Sequence, residues 1–386
     1  MTGGGSPVGP GELGAARSNP QVLVDSDVIW SAVKRDLSRA RRRALVQTYA
    51  FDGDGVGESL ASVLASSTAR DRRLLVDSYS RVNQSDRWLV TPGSLFDTRA
   101  RAEARNRRRL MRELAAEGVG VRLGRPFGFL GRRFFDRDHK KLVLFDDHVV
   151  YLGGLNFTEH NFRWHEVMIR YEDEELAAFL RDDFESSWRG DSVPAVRDFP
   201  HIDTEIHLLA GPGNREAMIP IIRLMEEAEK SIDVISPYVS PPFTDHLSAA
   251  ARRGVHVRVV TPGHNNKGYL QDYLLAEAAG LGLDVRLYEP GMLHLKFMLI
   301  DGRVLVGGSS NFDLMSYHGF LAEQISVIRH PEVVDAFRRL VLEPDLEASN
   351  AYRPAVRRTR LSAPANWIRG LPVRAGCALA AMIRPR

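Results

Sequence analysis

Along this chain, short apolar runs alternate with longer stretches in which apolar residues recur every three to four positions. "VIWSAVKRDLSRARRRALVQTYAF", from Val28, reads as a helix followed by a strand that ends near Tyr49. "SLASVLASSTA" with "RRLLVDSY", and then "RAEARNRRRLMRELAAEGVGVRL", give the same helix-then-strand order twice more. The period lapses across "RGDSVPAVRDFP", Arg189 to Pro200, which predicts a linker. Beyond it "AMIPIIRLMEEAEKSIDVISPYV", "FTDHLSAAARRGVHVRVVTP" and "LQDYLLAEAAGLGLDVRLYEP" repeat the series, and "AAEGVGVRLGRP" resembles "AAGLGLDVRLYEP" almost letter by letter. The pattern is an internal duplication. Alternating helices and apolar strands predict an α/β fold with mixed or parallel sheets, built as two similar halves. The expected divisions are a Gly/Pro-rich flexible leader over 1–20, a first half over 21–190, a linker over 191–203, a second half over 204–347 and a basic amphipathic tail over 348–386.

Composition narrows the setting. With 386 residues and 44% hydrophobic residues, the chain is long enough for two halves around a shared core. The formal net charge of +3 mildly favours anionic partners. A single cysteine, Cys377, excludes an intrachain disulfide and a thiolate metal cluster. No apolar run is long enough to span a bilayer, and the start does not read as a signal peptide; a cytoplasmic protein, soluble or peripheral on the membrane, is the expectation.

After the third unit of each half comes the chemistry. The two copies share His-x-Lys-x4-Asp-x6-Gly-[Gly/Ser]-x-Asn: His139, Lys141, Asp146, Gly153, Gly154 and Asn156, then His294, Lys296, Asp301, Gly308, Ser309 and Asn311. Every position is offset by 155 residues. A lone His and Lys on one strand face commonly just meet solvent, but duplication at fixed spacing points to a shared task. Side chains alternate along a strand, so His294 and Lys296 share a face opposite to Leu295. "DG" at Asp301 and Gly302 predicts a tight hairpin. With Ile300 opposite Arg303, His294 falls opposite Ser309 and Lys296 opposite Gly307; with Phe145 opposite His148, His139 falls opposite Gly154. Histidine, lysine and asparagine then converge on a spot suited to a phosphate. Metal binding is not expected, because each histidine sits beside a lysine cation. Asp146 and Asp301, at the far strand ends, are expected to hold the turn.

These residues resemble the phospholipase D superfamily, whose paired "HKD" motifs match His139/Lys141/Asp146 and His294/Lys296/Asp301. "TYAFDGDGVGESL", "RDHKKLVLFDD", "LGGLN" and "GSSNFDLMS" are most similar to its bacterial cardiolipin synthase branch. The resemblance implies a bilobed molecule of two α/β halves sharing one site, so that a monomer suffices. It also implies phosphodiester transfer without a cofactor: His139 as nucleophile forming a phosphohistidine, and His294 as acid/base. Lys141, Lys296, Asn156 and Asn311 would stabilise charge on the phosphoryl oxygens. Glu166 and Glu323, 27 and 29 residues after their histidines, take the carboxylate role that fixes the imidazole tautomers. His148, His160, His165 and His318 have no partner at the motif offset and are expected at the rim or surface. The implied substrate is a phosphatidylglycerol-like phospholipid, with an alcohol or water as acceptor. A nucleic-acid phosphodiesterase and a degenerate membrane-binding protein are the competing readings. The tail favours lipid: Arg357, Arg358, Arg360, Arg369, Arg374, Arg384 and Arg386 interleave with Trp367, Ile368, Leu371, Leu379, Met382 and Ile383, which suits an anionic membrane surface on the inner face of the cell membrane. The Arg-rich stretch from Arg101 reads as a solvated helix face, and no basic groove interleaved with aromatics is found for nucleic acid.

Overall fold

The computed structural model describes residues 20–84, 87–89, 91, 96–353, 373–380 and 382. Within them the helix–strand units fall where the periodicity puts them. The first helix, Ser26–Arg39, buries Ile29, Val33 and Leu37 at helical spacing and leads into the strand Arg43–Thr48. Asp54 caps the next helix, Gly55–Ser66, its carboxylate accepting from the Val56 and Gly57 N–H groups.

Two sheets of matching topology result. The first runs Gln21–Val24, Val167–Glu172, Val149–Gly153, Leu142–Phe145, Arg43–Thr48, Asp71–Asp77, Gly120–Gly124. The second runs Thr204–Leu209, Leu321–Ile328, Val304–Gly308, Phe297–Ile300, Ser231–Ile235, His256–Pro262, Asp284–Tyr288, position for position the same. In each, three strands are parallel and the hairpin beside them is antiparallel. The second sheet carries two additional edge strands, Ala195–Phe199 and Ser349–Ala351. Both fall outside the expected halves: the first lies in the stretch expected as linker and the second in the expected tail. Five- and three-residue edge strands are too short to leave a period in the sequence.

The sheets face each other across one core. Leu45, Leu142 and Leu144 of the first pack in the same apolar cluster as Phe297, Leu299 and Leu305 of the second. Truncating one such leucine to alanine costs about 2–5 kcal/mol, so the seam between the halves is a true core. Helices cover the outer faces in two separate clusters.

The hairpins depart from the expected register by one residue. Asp301 and Gly302 form the left-handed pair of a tight turn (φ 51° and 67°), and the Arg303 N–H donates to the Ile300 carbonyl at 3.0 Å. One further residue, Arg303, is then left over before pairing resumes, so Ile300 faces Val304 and Phe297, not Lys296, faces Gly307. The first copy does the same around Asp146 and Asp147, with Phe145 opposite Val149 rather than His148. A "DG" signal predicts the turn and is blind to the extra residue after it.

Of the tail, the described helical residues 373–380 pack on the second half, where Val373 and Ala380 are buried with Tyr238, Leu270 and Phe320, and Arg374 pairs with Glu277. Leu379 and Met382 are exposed. The remaining tail arginines and apolar residues named above, and residues 1–19 of the leader, lie outside the described residues. No helix among the described residues is long and apolar enough to cross a membrane.

Candidate active site

The two His–Lys segments end just before their strands begin, at Leu142 and Phe297. Each is tied by its backbone to the other half of the molecule. The His139 N–H donates to Ala322 O at 2.8 Å, and the His294 N–H donates to His165 O at 2.8 Å. This pairing carries the segment past the residue preceding a glutamate on the opposite lobe. The alternation expected at the motif survives: Leu295 goes into the shared core and Lys140 pairs with buried Asp183 at 2.8 Å, while the histidines turn to the cleft.

The carboxylates are therefore exchanged. His139 Nδ1 lies 2.9 and 3.1 Å from the Glu323 oxygens, and His294 Nδ1 lies 2.7 Å from Glu166 Oε2. Glu166 and Glu323 do approach histidines, but each approaches the histidine of the other half, not the one 27 or 29 residues before it. Sequence distance cannot show this, because it arises from the packing of the lobes. With Nδ1 engaged, Nε2 of His139 is the ring nitrogen available to a ligand.

Both histidines line one cleft of about 570 Å³, together with Asn156, Asn311, Tyr49, Tyr238 and other residues. The lysines flank it, fully buried. Lys141 Nζ donates to His139 O at 2.6 Å, and Lys296 Nζ makes the matching bond to His294 O while lying 2.8 Å from His294 Nδ1 and 3.7 Å from Glu166. The Ala50 N–H donates to Asn156 Oδ1 at 3.3 Å, whereas the Asn311 carboxamide oxygen is buried without a hydrogen-bond partner.

Electrostatics follow from burying two amines, two imidazoles and two carboxyl groups together. Burial lowers Lys141 to about 7 and Lys296 to about 8, against the pull of both glutamates. Burial and then Lys296 lower His294 to about 3; burial, then Lys141 and Lys296, hold His139 well below its ordinary value. The glutamates diverge. Burial opposes ionisation of both, but Lys296 and His294 bring Glu166 down to about 2, while burial dominates at Glu323 and raises it to about 8.

The motif glycines make room. A Cβ on Gly153 would stand 2.4 Å from Val167 O, and one on Gly308 2.3 Å from Gln324 O, so both glycines admit the glutamate-bearing strand. A Cβ on Gly154 would stand 2.6 Å from both Glu166 oxygens. At the equivalent position the Ser309 hydroxyl donates to Glu323 at 2.5 Å, and Ser316 adds a second hydroxyl at 3.3 Å. Asp146 and Asp301 stay away from the cleft. Asp146 accepts from the N–H groups of Arg41, Arg42 and Arg43, and Asp301 from those of Glu229, Lys230 and Ser231, clamping the entry to the neighbouring strand in each half.

Two of the histidines expected at the rim or surface have defined places. His160 lines the cleft, stacked edge-on against Trp164. His165 sits at the seam, 2.6 Å from Asp25 and 3.0 Å from Asp345; against burial, these carboxylates raise it to about 10. His148 and His318 are half-buried and stay outside the cleft: His148 Nδ1 lies 3.0 Å from Asp146 O, and His318 packs on Tyr317. On the Arg-rich helix Thr98–Ala116, Arg101, Arg105 and Arg108 are exposed, but Arg107 is buried, 2.9 Å from Gln84 Oε1 and 3.8 Å from Asp52 at the cleft. Sequence reasoning missed Tyr49 and Tyr238 in the cleft wall. Both follow the first parallel strand of their half, Arg43–Thr48 or Ser231–Ile235, which was the available signal.

Two lobes of one topology, holding a crossed pair of imidazole–glutamate contacts, two buried amines and two carboxamides around a single cleft, define a duplicated α/β scaffold with one shared histidine–lysine site. The chain belongs to the family described as cardiolipin synthase, phospholipase D-like domain, whose model matches residues 33–188 and 221–342. Cardiolipin synthase A of Salmonella paratyphi A is 26% identical over 334 residues, covering 79% of this chain and 65% of that protein; the Klebsiella pneumoniae protein of the same name is 25% identical over 333 residues with the same coverage. The chain thus spans just under two thirds of the length of these curated relatives. Among solved structures, phosphatidylserine synthase from Haemophilus influenzae superposes with a TM-score of 0.66 over 95% of both chains at 14% identity. Polyphosphate kinase from Porphyromonas gingivalis gives 0.55 over 84% of this chain and 46% of that one, at 12% identity. These two likenesses are of fold.

Proposed function

We propose that the protein transfers a phosphatidyl group between alcohols through a phosphohistidine, as a cardiolipin synthase-like enzyme working peripherally at an anionic membrane. The observation that carries this is the meeting of both imidazoles, each held by a glutamate of the opposite lobe, in one cleft flanked by both lysines. In the first step His139 Nε2 attacks the phosphodiester: a P–N bond forms, the P–O bond to the leaving alcohol breaks, and His294 gives that oxygen a proton. In the second, His294 takes the proton of the incoming alcohol, whose oxygen bonds to phosphorus as the P–N bond breaks. Lys141, Lys296, Asn156 and Asn311 face the charge on the phosphoryl oxygens. The depressed pKa values fit this use. Burial, and then the neighbouring lysines, keep both imidazoles neutral; a phosphodiester anion bound beside them offsets the lysine charge and favours the proton that His294 must donate.

The names of the relatives support a phospholipid donor, and phosphatidylglycerol is the proposed one. Incubation with phosphatidylglycerol vesicles and analysis of the products tests it. Cardiolipin with glycerol is the expected outcome and phosphatidic acid would reassign the enzyme to hydrolysis. No lipid product, with cleavage of single-stranded DNA instead, would overturn the lipid reading. Turnover is expected to persist in excess chelator.

A further inference from the structure

The loop entering the first motif, "RPFGFLGRRFFD" from Arg125 to Asp136, has features that the site does not use. Gly128 to Arg133 are exposed in one unbroken run. At the tip Phe129 is 78% and Leu130 84% exposed, with Phe135 at 52% behind them. Singly exposed apolar residues are ordinary; adjacent large ones at a protruding tip, beside Arg132 and Arg133, are not. Leu130 also holds a left-handed backbone (φ 52°), a conformation unfavourable for a leucine, and it gains no burial there.

The base of the loop is rigid and joined to the catalytic segment. The Arg137 guanidinium lies 4.9 Å over the Phe127 ring, pairs with buried Asp77 at 3.1 Å and bonds to Arg133 O. His139 is two residues further on. From this base a continuous series of ring contacts runs inward: Phe135 to Phe134 at 5.3 Å, Phe134 to Trp88 at 5.6 Å, Trp88 to Tyr79 at 5.4 Å, Tyr79 to Tyr49 at 5.1 Å, and Tyr49 to His139 at 4.7 Å. An aromatic row thus connects Phe135, on the same loop as the exposed tip, with His139.

We infer that this loop docks the enzyme on an anionic phospholipid bilayer, with Phe129 and Leu130 inserted among the acyl chains and Arg132 and Arg133 at the headgroups. Apolar tip and cationic shoulder match the order of the layers in such a surface. The aromatic track gives the apolar part of a lipid a path along which its phosphate can reach the cleft. A protein partner would account for the exposed tip but not for a track ending at His139. The inference deepens the lipid reading above and rests on it for the nature of the surface.

The test uses the full chain as Leu130→Cys in a Cys377→Ser background, labelled with an environment-sensitive fluorophore. Emission is expected to shift to the blue with phosphatidylglycerol vesicles, and much less with pure phosphatidylcholine. In parallel, Phe129→Asp/Leu130→Asp should weaken co-sedimentation with phosphatidylglycerol vesicles roughly tenfold or more, while the thermal unfolding midpoint stays unchanged because the side chains are exposed. An unshifted probe, or sedimentation equal to that of the parent, overturns the docking loop. The two readings fail separately. Vesicle docking through the loop without any lipid product would sink the proposed reaction alone, and turnover of monomeric short-chain lipid with an unshifted probe would sink the loop alone.

Discussion

The two copies of the motif agree in sequence at nearly every chemical position, yet they place their imidazoles in different surroundings. His294 meets Glu166, which is packed against bare Gly154, receives no serine hydroxyl and is brought down to about 2 by Lys296. His139 meets Glu323, which takes hydroxyls from Ser309 and Ser316, lies beyond direct reach of an ammonium group and rises to about 8. One pair is a neutral imidazole on a firm carboxylate. The other is a neutral imidazole on a carboxyl group that burial holds at about 8 and that accepts from two hydroxyls. The two frames are equivalent, and one difference between matched positions, Gly154 against Ser309, accompanies the difference between their glutamates.

The comparison breaks most completely at the imidazoles. His139→Ala and His294→Ala should each reduce turnover by about 10⁴-fold or more. With labelled donor, only the His294→Ala protein should still accumulate an acid-labile phosphoprotein, measured by trapping on denaturing gels. An adduct on the His139→Ala protein would reverse the assigned roles.

Next come the glutamates. Glu166→Gln replaces an ionised group and should cost about 10²–10³-fold in kcat, through the wrong imidazole tautomer. Glu323→Gln replaces a group that is already protonated at neutral pH, so about tenfold is expected. The same substitution has a stability signature. Glu323 keeps its proton in the folded state up to about 8, whereas its ordinary value is 4.5. Between those pH values the native protein holds a proton that the unfolded chain releases, so this group's stabilising contribution, full below 4.5, is lost as pH rises to 8. Denaturant titrations across that range should show a flatter decline for Glu323→Gln than for the parent.

Reciprocal swaps at the matched small residues sharpen the contrast. Gly154→Ser drives a Cβ onto both Glu166 oxygens and should reduce kcat at least about tenfold. Ser309→Gly removes one hydrogen bond to Glu323, worth about 1.5–3 kcal/mol at most for a charged acceptor and less for a protonated one, so only a several-fold effect is expected. Equal effects would mean that the halves are interchangeable here. The smallest effect on chemistry is expected at the clamps. Asp146→Ala and Asp301→Ala each strand three backbone N–H groups and should lower stability by about 2–4 kcal/mol, with turnover per folded molecule retained.

Much of this was legible in the sequence. A constant offset of 155 residues revealed the repeat and with it two similar α/β halves, whose sheets share one strand order because identical helix–strand series bury their faces in the same way. The motif histidines and asparagines line one cleft, with the lysines buried beside it, and Asp146 and Asp301 hold chain. Three things were hidden. The crossing of Glu166 and Glu323 depends on lobe packing, to which sequence distance is blind. The one-residue shift of the hairpins depends on a residue after the turn that carries no turn signal. His165 has no duplicate, so a repeat-based reading left it at the rim or surface and gave no sign that it joins Asp25 and Asp345 across the seam.

The crossed carboxylates bind catalysis to quaternary-like integrity within one chain. Neither lobe alone pairs an imidazole with its glutamate, so any opening of the seam separates both imidazoles from their partners at once. Inactivation on heating or in denaturant should therefore run ahead of the melting of either sheet, and activity becomes the most sensitive gauge of whether the lobes are closed.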